Sequence, residues 1–117
     1  MPTTIHGIKN CATMKKTFAW FDGAGVAYQF HDYKKAGIDV ATLARWCERL
    51  GWEALVNKRG TTWRKLSPEQ QAIADTAAAI ALMQAQPSLI RRPLVEFTDG
   101  ELVVGLDTEA FERHCQR

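Results

Sequence analysis

The sequence predicts an α/β fold: a β-α-β unit at the start, a helical insert in the middle and a β-β-α unit at the end. Three observations carry this prediction. Residues 3–33 run through a strand-like, a helix-like and a second strand-like pattern; residues 39–86 are helical in character; and residues 94–104 read as a hairpin with Asp99-Gly100 at its turn. A strand, crossover helix and strand of these lengths form a right-handed βαβ unit with parallel strands.

Each element has its own signal. Thr3-Thr4-Ile5-His6-Gly7-Ile8 is a buried strand, and Lys9-Asn10 makes the turn after it. Cys11, Met14, Phe18 and Phe21 then recur at helical steps until Gly23 and Gly25 stop the helix. Val26 through Tyr33 alternates as a second strand. In the middle, Asp39 through Leu50 forms a helix with Leu43, Trp46, Cys47 and Leu50 on one stripe, and Glu53 to Val56 forms a short one. Ser67-Pro68-Glu69-Gln70 is a strong helix start, followed by one or two alanine-rich helices over 72–86 that break before Pro87. Leu94–Phe97 and Leu102–Val104 are the hairpin strands, and Asp107-Thr108-Glu109 starts a last helix that carries Ala110, Phe111 and His114. This order is the thioredoxin-like plan with a mixed four-stranded sheet. It makes a single domain, with the core in about residues 1–35 and 88–117 and the insert in about residues 36–87.

Composition sets limits on function. A chain of 117 residues suits one domain with a real core, and 46% apolar with 24% charged residues is ordinary for a soluble protein. A net charge of +2 makes no case for nucleic acid. The three cysteines are irregularly spaced with no C-x-x-C pair, and Met14 stands where the partner of Cys11 would be. His6, His31 and His114 are scattered singly, so no metal site is expected. No secretory signal and no membrane-length apolar run is present, so the expected location is the cytoplasm, where thiols stay reduced.

The cysteines are not equivalent. With Asn10 as N-cap, Cys11 takes the first helical position, facing free backbone N–H groups and the positive end of the helix dipole. Both favour the thiolate, which is the nucleophile. Lys9, Lys15 and Lys16 add positive charge nearby. Cys47 lies in a helix interior, where packing is its default explanation. Cys115 is close to the C-terminus, open to exposure and without a motif.

Basic residues form three clusters: Lys9 with Lys15 and Lys16, the stretch Asn57 through Lys65, and Arg91-Arg92 before Pro93. Arginine binds oxyanions and carboxylates through its planar two-pronged donor set. Arg59 and Arg92 stand out because Gly60 and Pro93 shape the backbone beside them. Pro93, directly before a strand, is a candidate cis-proline facing the cysteine, although an X–Pro bond is cis only about one time in twenty.

Three motifs in order, Gly7-Ile8-Lys9-Asn10-Cys11-x-Thr13-x-Lys15-Lys16, Asn57-x-Arg59-Gly60-Thr61-x-Trp63-Arg64-x-Leu66 and Ile90-x-Arg92-Pro93-Leu94-Val95, resemble the ArsC/Spx family, and the YffB-type branch most closely. The resemblance covers essentially the whole chain. It implies a thioredoxin-like core, a helical insert over the active site and a nucleophilic Cys11. With no G-x-G-x-x-G and no phosphate-loop pattern, no bound cofactor is expected; the resemblance implies glutathione as reducing co-substrate and glutaredoxin as a possible partner. Lys9, Asn10, Arg59, Arg92 and Pro93 are then the candidate substrate- or anion-binding residues. In the family's arsenate reductases the cysteine attacks arsenate, and glutathione and glutaredoxin complete the cycle. Two of their three anion-handling arginines match Arg59 and Arg92, whereas Gly105 stands near the place of the third. The Spx branch contains regulators that bind RNA polymerase and sense oxidation through a C-x-x-C, which Met14 interrupts here. The leading expectation is a glutathione-dependent thiol oxidoreductase; arsenate reduction and polymerase binding are the alternatives.

Overall fold

The computed structural model describes residues 2–115. They divide into two compact units, one built from the residues up to Ala36 together with those from Arg92 onward, the other from Gly37–Arg91.

The first unit holds the sheet. Its strands β1 (Thr4–Gly7), β2 (Gln29–Asp32), β3 (Leu94–Glu96) and β4 (Leu102–Val104) lie in the order β2-β1-β3-β4. β1 pairs parallel with β2 and antiparallel with β3, and β3 with β4 forms the antiparallel hairpin. This is the mixed, thioredoxin-like sheet that the sequence predicts. The hairpin turn closes through Gly100, whose φ of 86° is one that glycine adopts without strain.

Helix α1 (Ala12–Ala24) crosses from β1 to β2 and buries Met14, Thr17 and Phe21 at helical spacing. Thr17 is satisfied inside the core because its hydroxyl donates to the Thr13 carbonyl at 2.8 Å. The helix runs through Gly23 and ends only at Gly25, whose left-handed backbone (φ 70°) turns its amide back to the last carbonyls. Gly23 is therefore no stop.

β2 is half the length its alternation suggests. β1 offers only four residues to pair with, and Val26 instead donates its amide to Phe21 at the end of α1. Tyr33 leaves the strand and begins a short helix, α2 (Tyr33–Ala36), because the Asp32 carboxylate accepts from the amides of Lys34 and Lys35 at 3.1 and 3.3 Å.

Ile5, Met14, Phe21, Val95, Phe97, Val103 and Phe111 form the core of this unit. Phe21 is its centre, with ring centroids 5.3 Å from Phe111, 5.6 Å from Tyr28 and 6.1 Å from Phe97. The last helix of the chain, Thr108–His114, starts at Asp107, whose carboxylate accepts from Ala110 at 3.1 Å. Cys115 follows that helix and is 7% exposed within the same core, not an open thiol. Its amide continues the helical bonding to Phe111, which carries the side chain inward.

The second unit is helical. α3 (Val40–Leu50) is capped by Asp39 and buries Leu43, Trp46 and Cys47. α4 (Trp52–Leu55) follows, and a further helical turn, α5 (Thr61–Arg64), lies within the polar stretch. α6 (Pro68–Gln71) has the full capping box between Ser67 and Gln70. The alanine-rich segment becomes helical only at α7 (Thr76–Ala85), because Asp75 breaks the run and accepts from the Ala78 amide at 2.8 Å. Asp75→Ala is expected to cost about 1 kcal/mol, read as a lower urea midpoint, with Asp75→Asn recovering most of it. In chain order the last helix is α8. No helix among the described residues is long and apolar enough to cross a membrane.

Candidate active site

The candidate site lies where the C-terminal ends of β1 and β2 meet the start of β3. Parallel pairing of Gly7 with Asp32 and antiparallel pairing of His6 with Leu94 bring these ends to one edge of the sheet. Cys11 follows β1, Tyr33 follows β2, and Arg92 and Pro93 precede β3.

Cys11 is itself the N-cap of α1, in extended backbone (φ −142°, ψ 132°). Asn10, the expected cap, stays outside the helix on the exposed loop with Lys9. The Cys11 carbonyl starts the helical ladder by accepting from Lys15 at 3.0 Å. Its sulfur then occupies the place where a capping side-chain oxygen would sit. The neutral thiol makes no capping hydrogen bond, whereas the thiolate is favoured there. Partial burial raises the thiol pKa, but the influence of the nearby Met14 amide, the Arg92 side chain and the Thr13 amide, with the Arg92 charge, outweighs it and leaves the thiol below its ordinary value.

Arg92 is half-buried, and Pro93 is buried behind it with a cis Arg92–Pro93 peptide bond. Burial works against the Arg92 charge, but its hydrogen bond to Cys11 and its contact with Tyr33 hold it firmly protonated. Tyr33 is completely buried. Burial pushes the phenol up, with Arg92 opposing, so the hydroxyl stays protonated.

The remaining thiols cannot close on Cys11 from within its unit. Met14, where a resolving cysteine would stand, is fully buried and packs onto Gly7; a Cβ at Gly7 would overlap its Sδ and Cε atoms. Cys115 lines a small cavity with Thr3, Gly25 and Val26. Cys11 and Gly25 cap opposite ends of α1, a 13-residue helix about 20 Å long. A disulfide needs its Cα atoms within about 7 Å. Cys47, in the second unit, is buried, and burial together with the Glu53 charge raises its pKa. It is an unreactive packing residue.

Arg59 is exposed in the second unit on a tightly held loop. Its amide donates to Asn57 Oδ1 at 3.0 Å, and the Asn57 amide donates to the Leu89 carbonyl at 2.8 Å. Lys58 lies 5.5 Å from the ring centroids of both Trp52 and Trp63, a double cation–π contact that fixes the loop. The motif Asn57-x-Arg59-Gly60 with Trp63 thus has a local structural basis.

Two features escape a linear reading. Tyr33 joins Arg92 and Cys11 only because the end of β2 and the start of β3 lie together beside the end of β1. His6 and His31, expected to stand apart, are register partners on β1 and β2, with Nδ1 atoms 2.8 Å apart. His6 Nε2 also lies 2.8 Å from Glu96 Oε1. A carboxylate only accepts, so His6 Nε2–H donates to Glu96, and the two Nδ1 atoms share a hydrogen between the rings. No local sequence signal gives this pairing, which needs the register of β2 against β1. Among the described residues no group of three or more His, Cys, Asp or Glu side chains is arranged to hold a metal ion.

The ArsC family model matches residues 6–114. The chain belongs to the ArsC family. Among relatives of this family, an uncharacterised protein of Haemophilus influenzae is 35% identical over 93% of this chain and 95% of its own length. The solved structure of the YffB protein shares 47% identity with a TM-score of 0.92, covering 97% of this chain and 99% of that one. An arsenate reductase (ArsC) related protein from Brucella melitensis shares 46% identity with a TM-score of 0.76, covering 100% of this chain and 97% of that one. These similarities place the chain in the YffB-type branch.

Proposed function

We propose that the protein is a glutathione-dependent thiol oxidoreductase acting through the Cys11 thiolate. The observation that carries this reading is a partly exposed cysteine, favoured as thiolate by a helix N-terminus and Arg92, with no second cysteine of its unit in reach. Such a thiol attacks but cannot resolve, so an external thiol has to complete the cycle. The Cys11 thiolate attacks a disulfide R–S–S–R. The S–S bond breaks, R–S⁻ leaves and takes a proton from water, and Cys11–S–S–R forms. One glutathione thiolate displaces the second R–S⁻, leaving glutathione on Cys11. A second glutathione attacks that glutathione sulfur, releasing the Cys11 thiolate and glutathione disulfide. The substrate disulfide gains the two electrons that two glutathiones lose.

Arg92 is the cation for a glutathione carboxylate as the substrate meets the thiolate, and Pro93 shapes the backbone beside it. Arg59, Lys9 and Asn10 enter as anion- or substrate-binding residues on the family resemblance. Glutaredoxin is an alternative resolving thiol, and the chemistry suits the reducing cytoplasm.

Arsenate is the second reading, because one similar structure is that of an arsenate reductase related protein. Gly105 weighs against it. Its φ of 91° is in the left-handed region and its amide donates to the Pro93 carbonyl at 2.8 Å, so no guanidinium comes from this position. Two coupled assays decide. Protein, glutathione and glutathione reductase are expected to consume NADPH with a small mixed disulfide as substrate. With glutaredoxin added and arsenate as the only oxidant, NADPH is expected to stay constant. The reverse pattern would make the protein an arsenate reductase.

A further inference from the structure

We propose that Tyr33 is a positioning residue that holds the Arg92 guanidinium against the Cys11 sulfur; this deepens the proposed function by explaining how its nucleophile is kept as thiolate. The three groups come from three chain segments that the sheet brings together. Tyr33 directly follows β2, Arg92 stands two residues before β3, and Cys11 stands four residues after β1. Since β1 is paired with both other strands, these positions cluster at one edge.

Hydrogen-bond chemistry decides what Tyr33 does there. Arginine has donors only, so Arg92 donates both to the Cys11 sulfur and to the Tyr33 oxygen. The sulfur, on a partly exposed residue at the helix start, is a loose anchor. The phenol is a firm one: Tyr33 is 0% exposed, and its rigid ring is fixed at the junction of β2 and α2. A long, flexible arginine side chain has many rotamers, and a second, buried acceptor selects the one in which the planar fork meets the sulfur. Asp32, which precedes Tyr33, is occupied with the amides of Lys34 and Lys35. Tyr33 takes no part in the bond changes, and its hold on the guanidinium acts on the sulfur through Arg92.

Tyr33→Phe keeps the ring and removes the acceptor. The test follows alkylation of Cys11 by iodoacetamide across pH, with no glutathione present. The midpoint is expected to rise by about half to one unit, so that the rate at neutral pH falls roughly three- to tenfold. In an Arg92→Ala background the same substitution is expected to produce no further shift. An unmoved midpoint in the single variant, or an equal shift in both backgrounds, overturns the proposal. If Tyr33→Phe fails to fold, the wild-type protein is titrated by NMR. The Tyr33 ring and Arg92 Nε signals are then expected to move together with the Cys11 midpoint, and a Tyr33 signal that ignores this titration overturns the proposal. A shifted midpoint in a protein that never accepts glutathione would remove the proposed function while leaving the role of Tyr33 intact.

Discussion

Cys11→Ser is expected to abolish the proposed glutathione-linked disulfide turnover, bringing NADPH consumption to the level without protein. The effect is complete because serine offers no sulfur for a mixed disulfide and nothing else in the first unit can take over. Cys115 is buried at the other end of α1, and Met14 carries no thiol. Intact mass after exposure to glutathione disulfide should show one added glutathione on the wild type and none on the variant. The fold should be nearly unaffected, within roughly 0.5 kcal/mol, because the residue is partly exposed and makes no capping bond. The wild-type rate is expected to follow the thiolate fraction. It should be lost as pH falls through the folded-state value, which lies below that of an ordinary thiol. The sign for stability is the same. A depressed thiol pKa gives a stabilising increment that is complete above the ordinary value and fades as pH drops through the folded one.

Phe21→Ala is the substitution expected to damage the fold most. The ring is fully buried and meets Trp20, Tyr28, Phe97 and Phe111. Removing a buried phenylalanine costs about 3–5 kcal/mol, from lost transfer energy and from the cavity left behind. A domain of this size is stable by only about 5–15 kcal/mol. The urea midpoint should therefore fall steeply, and the Tm should drop by roughly 10 °C or more. Phe21→Leu, which refills most of the volume, should recover over half of the loss. A near-wild-type midpoint for the alanine variant would remove Phe21 from the centre of the core.

Much of this architecture is legible in the residues. The spacing of Met14 and Phe21, the Asp99-Gly100 turn and the Ser67-Pro68 start each act through local chemistry, and each appears where the pattern puts it. What is misread depends on partners distant in sequence. Val26 through Tyr28 alternates like a strand, but strand pairing begins only at Gln29, opposite Thr4 at the start of β1. Asn10 is the better cap by residue type, yet the backbone turns helical one residue later, at Ala12. At the candidate site, Cys11, Arg92 and Pro93 come from recognisable motifs and meet at one sheet edge. Tyr33 is invisible by pattern because its partner is Arg92, about half the chain away. The His6–His31 contact is hidden for the same reason: it needs the strand register, which no local window contains.

The sheet order has a consequence for how the chain is made. β1 sits between β2 and β3, yet β3 begins only at Leu94. On the ribosome, β1, α1 and β2 emerge early with one side of β1 lacking its neighbour. At synthesis rates of about 5–20 residues per second, the roughly 60 residues from the end of β2 to β3 take some 3–12 s to arrive. During that time the nascent protein presents a bare strand edge of the kind that recruits other chains. Only when the last quarter of the chain has been translated does Arg92 reach Cys11. Cys11 thus gains its Arg92 neighbour late in synthesis, and a chain that stops before Arg92 has the cysteine without the arginine that favours its thiolate.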